Sequence, residues 1–95
     1  MSDFSLEDLA NLTDLTARTI RSYIEQGLVP GPEILGRHAR YTDEHLHRLK
    51  AIHALRRQLG WTLADIRQLL LTLSPQAIEE IAEEGARFIG FHSRQ

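Results

Sequence analysis

Two short stretches of helical periodicity, separated by only three residues, constrain this chain more than any other feature. Ser5 stands before apolar positions at Leu6, Leu9, Ala10 and Leu12. Its hydroxyl can accept from the free amides of a first turn, and Glu7 and Asp8 suit the positive end of a helix. A first helix over about Leu6 to Leu12 follows. Asp14 tolerates a left-handed backbone better than most residues, so Thr13, Asp14 and Leu15 break that helix and Thr16 caps a second. The second runs from Ala17 to about Gln26, presents Ile20, Tyr23 and Ile24 at helical spacing, and stops at Gly27. Two short helices joined this way have the shape of a helix-turn-helix.

From Pro30 to Arg40 the sequence holds two prolines and two glycines with little periodicity, which predicts a turn-rich loop or short hairpin. Thr42 caps a third helix with Asp43 and Glu44 in its first turn and an apolar stripe at Leu46, Leu49, Ile52, Ala54 and Leu55. Arg56 and Arg57 lie near its negative end, and Gly60 closes it. Thr62 and Asp65 form a capping pair before Leu63, Ile66, Leu69, Leu70 and Leu73, a fourth helix. Ser74 and Pro75 start a fifth, with Ile78, Ile81, Ala82 and Ile89 on one side. Gly85 is expected inside this last helix, at a cost of about 1 kcal/mol relative to alanine. The fold class is mostly α: a winged helix-turn-helix with two following helices and a short C-terminal helix.

With 95 residues, 42% apolar and 25% charged, one domain is expected, and its single core competes with any deep catalytic cleft. The absence of cysteine removes disulfides, thiolate ligands and thiol nucleophiles, and leaves the redox compartment open. No run spans a bilayer and no signal pattern opens the chain, so no membrane association and a cytoplasmic location are expected. A net charge of −2 argues against nucleic acid until its distribution is seen. Residues 1–15 carry Asp3, Glu7, Asp8 and Asp14 and no base. Residues 16–60 carry Arg18, Arg21, Arg37, Arg40, Arg48, Lys50, Arg56 and Arg57 against Glu25, Glu33, Asp43 and Glu44, a net of +4. The remainder falls back to −2, with acids grouped at Glu79, Glu80, Glu83 and Glu84. A basic face on an acidic body and a solvated mixed surface both fit this pattern.

Five pieces in order sharpen the reading: Ser5-Leu6-Glu7-Asp8-Leu9-Ala10, Thr19-Ile20-Arg21-Ser22-Tyr23, Gly27-Leu28-Val29-Pro30, Arg40-Tyr41-Thr42, and Leu59-Gly60-Trp61-Thr62-Leu63 with Ile66-Arg67. In residue type and spacing they resemble the N-terminal domain of the MerR-type transcription regulators, over residues 4 to about 73. The resemblance implies a DNA-binding domain over 1–73 and a C-terminal helix and tail over 74–95 that serves dimerisation. It also implies that the second helix enters the major groove while the loop after it forms a wing on the backbone or minor groove.

The expected DNA-binding residues are Thr16, Ala17, Arg18, Thr19, Arg21, Ser22 and Tyr23 on the helix, and Arg37, His38 and Arg40 in the wing. The first half of a recognition helix faces base edges, and the fork of Arg18 suits guanine O6 and N7 as well as it suits a phosphate. Arg21 braces the wing or touches DNA. Tyr23 packs in the core or offers its hydroxyl to a phosphate. Ser22 stands where the family usually has an aromatic, Asp14 where it has glycine, and Ala39 where it has arginine. One phosphate contact is therefore expected to be weaker and the wing to dock differently. Trp61 is expected to fill the gap between the third and fourth helices.

The implied partners are double-stranded DNA at a pseudo-palindromic site, a second copy of the chain, and RNA polymerase at the promoter. Ile78, Ile81, Ala82 and Ile89, with Phe88 and Phe91, would form the dimer seam unless the stripe folds back on its own domain. The family's effector site normally lies beyond the end of this sequence, so no cofactor or small-molecule site is expected. His45 and His47 face different sides of a helix, His53 is six beyond His47, and no acidic cluster appears beside them, so no metal is expected. No Ser/His/Asp order, Walker loop or dinucleotide turn is present, and the chain is not expected to be an enzyme. Two other classes fit the same sequence: a winged-helix protein-interaction module with weak DNA contact, and an excisionase-like architectural factor that bends DNA.

Overall fold

A computed structural model of the chain describes residues 3–32 and 39–85. The described elements are α1 (Leu6–Thr13), α2 (Ala17–Glu25), α3 (Asp43–Ala54) continuing into one π turn (Leu55–Leu59), α4 (Leu63–Thr72) and α5 (Pro75–Glu84). Every start carries its expected cap residue. At α1 the Asp8 amide donates to Ser5 Oγ at 3.0 Å while Asp8 Oδ2 accepts from the Ser5 amide at 3.0 Å, a reciprocal box that satisfies two free donors. Thr16, Thr62 and Ser74 cap α2, α4 and α5 by accepting from the amides of Thr19, Asp65 and Ala77.

The break between α1 and α2 is built from side chains as well as backbone. Asp14 is left-handed with φ 66°, the conformation expected of it, and its amide returns to the Ala10 carbonyl at 3.0 Å. Thr13 is buried, donates its hydroxyl to the Leu9 carbonyl at 2.7 Å and accepts from the Leu15 amide at 3.3 Å. The turn angle is therefore held from inside.

One core joins all five helices: Leu9 from α1, Ile20 and Tyr23 from α2, Leu49, Ala51 and Ile52 from α3, Ile66 and Leu70 from α4, and Ile78 and Ile81 from α5. Leu28, Val29, Tyr41 and Leu55 complete it, and Trp61 packs half-buried against it. Helix α3 is the central element, touching α1 and lying along α5.

One expectation for the C-terminal segment is corrected, and its apolar stripe has partners within the chain. Ile78 and Ile81 are 1% and 0% exposed within a single chain, where they close the domain core. The apolar side of α3 has to be covered, and α5 covers it, which leaves the core continuous past residue 73. Ala82 is half-buried, and Ile89, Phe88 and Phe91 lie outside the described residues. Gly85 does not sit inside a helix. With φ 78° and ψ −171°, a region open to glycine almost alone, it ends α5, and an added Cβ would stand 3.1 Å from Gln58 Oε1.

Candidate nucleic-acid interface

Helix α2 has its two faces assigned by chemistry. Ile20 is fully buried, Tyr23 is 7% exposed and Ile24 packs half-buried against the same core, so one side is fixed in place. The other side presents Arg18 and Arg21, both exposed and neither with an ion pair or hydrogen bond among the described residues. Burying one face orients the other, and a rigid helix then offers two planar cations outward.

The polar residues between them are partly engaged within the helix. Thr16 Oγ1 accepts from the Thr19 amide at 3.1 Å and donates to Thr19 Oγ1 at 2.9 Å, so Thr16 is exposed but its oxygen serves the cap. Ala17 and Thr19 are half-buried. Ser22, also half-buried, accepts at 2.8 Å from the side-chain amide of Gln26. Tyr23 belongs to the core cluster and is 7% exposed.

The stem of the loop after α2 is fastened at both sides. Phe4 and Tyr41 form an antiparallel bridge with amide-to-carbonyl distances of 2.8 and 2.9 Å, which ties the residue beside Arg40 to the start of the chain. Arg40 itself is exposed and has no ion pair or hydrogen bond among the described residues. Arg37 and His38 lie outside the described residues.

The residue that organises this stem is not among the site residues the sequence marks. His45, 2% exposed, accepts the Thr42 amide on Nδ1 at 2.9 Å, and its Nε2 lies 2.8 Å from the Gly31 carbonyl. A backbone amide only donates and a carbonyl only accepts, so the ring is the tautomer with hydrogen on Nε2. One imidazole thus closes the first turn of α3, holds the loop entry, and stands edge-on to the Tyr41 ring at 5.2 Å. The signal available was its place three residues after Thr42, where Glu or Gln usually completes a capping box. Replacing His45 with alanine leaves two backbone groups without their partner. The expected outcome is a loss of about 1–3 kcal/mol in urea denaturation, with asparagine restoring part of it.

Two further arginines belong to the scaffold. Arg48 donates Nη1 to the Leu28 carbonyl at 3.5 Å, which links α3 to the segment after α2, and its Nε makes a weak ion pair within α3 with Glu44 Oε2 at 3.5 Å. The guanidinium of Arg67 lies over Gly27, whose φ of 82° turns the chain out of α2.

Comparison with known proteins gives this geometry a context. Residues 4–73 match the family model described as the MerR HTH family regulatory protein. The chain belongs to the MerR family. It is 36% identical over 88 residues to the HTH-type transcriptional regulator ZntR homolog of Haemophilus influenzae, which covers 92% of this chain and 63% of that protein. It is also 30% identical over 99 residues to the HTH-type transcriptional regulator YfmP of Bacillus subtilis, covering 88% of this chain and 71% of that protein. Both relatives are named as HTH-type transcriptional regulators, and this chain spans 63% and 71% of their lengths. The departures from the MerR pattern acquire concrete form: Asp14 takes the left-handed position, Ser22 pairs with Gln26, and Ala39 packs half-buried against the core. Among the described residues no helix is long and apolar enough to cross a membrane.

Proposed function

We propose that this chain reads a specific duplex sequence as the DNA-binding part of a transcription regulator, with α2 in the major groove and the loop after it against the backbone. The observation that carries the reading is the pairing of a core-locked apolar face on α2 with Arg18 and Arg21, outward and unpaired among the described residues. Arg18, one residue into the helix, belongs to the half that approaches base edges, where its fork can take guanine O6 and N7 together. Arg21 and Arg40, with Arg37 and His38, supply phosphate contacts. Thr16, Ala17, Thr19, Ser22 and Tyr23 line the same approach.

The regulator acts as a homodimer on a pseudo-palindrome, because two recognition helices about 34–36 Å apart meet successive major grooves on one side of a duplex. Ala82 and Ile89 remain as seam positions in this proposal, and Ile78 and Ile81 do not. RNA polymerase at the promoter is the partner that such an arrangement serves, in the cytoplasm.

Selection from random duplexes tests the reading, since it reports binding, half-site symmetry and target sequence together. A recovered inverted repeat supports it, and a sequence-neutral pool contradicts it. Arg40→Ala is expected to weaken binding evenly across sequences and to reduce the slope of log K against log salt by about one. An unchanged slope would remove Arg40 from the interface.

A further inference from the structure

Spacing along one helix gives no pair of histidines suited to a common metal, but spacing across two helices gives a different answer. His47 on α3 and Glu79 and Glu83 on α5 each bring a ligand atom within 4.8 Å of the other two. Glu79 and Glu83 are one turn apart, so both carboxylates rise on the same side of α5. We infer that these three residues form a site for a divalent transition-metal cation that clamps α5 onto α3.

The donor set defines the ion. One imidazole nitrogen with two carboxylates and no thiolate suits Zn²⁺, Co²⁺ or Ni²⁺, whereas Mg²⁺ and Ca²⁺ prefer all-oxygen shells. Around a tetrahedral ion with bonds near 2.1 Å, neighbouring donors stand about 3.4 Å apart. Side-chain adjustments of about 1 Å therefore close the triad. His47 and Glu79 are half-buried while Glu83 is exposed, an arrangement that holds the ion from the protein side and leaves an outer position for water.

A second feature points the same way. A notch of about 150 Å³ is lined by His47 and Glu79 together with Glu44, Pro75, Gln76 and Ile78, so open space adjoins the imidazole and one of the two carboxylates. Among the described residues neither Glu79 nor Glu83 has an ion pair, and like charges four apart on a helix repel. A bound cation removes that repulsion and joins the two helices that share the longest part of the core.

The test is thermal unfolding of the full, untagged chain with Zn²⁺ titrated in, paired with the visible spectrum of added Co²⁺. At ten times the dissociation constant the midpoint is expected to rise by about 5–10 °C, with Mg²⁺ giving no comparable shift. Glu83→Gln changes an exposed residue, so it is expected to fold with a metal-free midpoint no lower than the parent, yet to bind Zn²⁺ at least tenfold more weakly. His47→Gln is expected to remove the Co²⁺ spectral change, and His53→Gln to leave it intact. Absence of any Zn²⁺ shift, or a shift that survives both Glu83→Gln and His47→Gln, overturns the site.

Discussion

Replacing Ile81 with alanine is expected to lower the unfolding free energy by about 2–5 kcal/mol, leaving any dependence of the urea midpoint on protein concentration as it is in the parent. Ile81 is fully buried within one chain, so the loss combines lost transfer energy with the cavity left against α3. An intermolecular seam would behave differently. Stability shared between two copies follows mass action, and its midpoint shifts with concentration. Urea curves at two concentrations a hundredfold apart separate the cases: a concentration-dependent parent midpoint abolished by Ile81→Ala would return this residue to a dimer interface.

Arg18→Ala is expected to weaken binding to the selected duplex by about 1–3 kcal/mol, roughly a factor of five to 150. The more telling result is where the loss falls. If Arg18 reads a guanine through both its edge acceptors, the variant loses preference at one base pair of each half-site and keeps most of its affinity for unrelated duplex. A phosphate contact lowers affinity for all sequences alike and reduces the salt dependence. Arg18 is exposed and opposite the buried side of α2, so the variant is expected to unfold at the same urea concentration as the parent.

Much of this architecture is legible in the sequence because its punctuation is local. Ser5, Thr16, Thr62 and Ser74 act on amides three residues ahead, and Asp14 takes the left-handed turn by its own preference. Helix α2 is legible for the same reason, since Ile20 and Tyr23 mark its buried side and thereby its outward arginines.

What local pattern could not show was which neighbour each face would meet. The stripe at Ile78 and Ile81 has the same spacing whether it covers α3 or a second molecule, and only packing within the chain shows both residues buried there. Gly85 reads as a helix interior until its backbone angles are known. Along its own helix His45 reads as a candidate metal ligand, whereas its partners are the Thr42 amide and the carbonyl of Gly31, fourteen residues away. His47 gains Glu79 and Glu83 as neighbours only when α5 folds onto α3.

The measurement that bears most directly on the whole account is a fluorescence anisotropy titration of mixed-sequence duplex with the folded chain at low ionic strength. A saturable complex that weakens steeply as salt is added is the predicted result, because exposed arginines on α2 and at Arg40 would release counterions from the duplex. A chain that unfolds cooperatively, and is therefore intact, yet gives no anisotropy change at any protein concentration would contradict it.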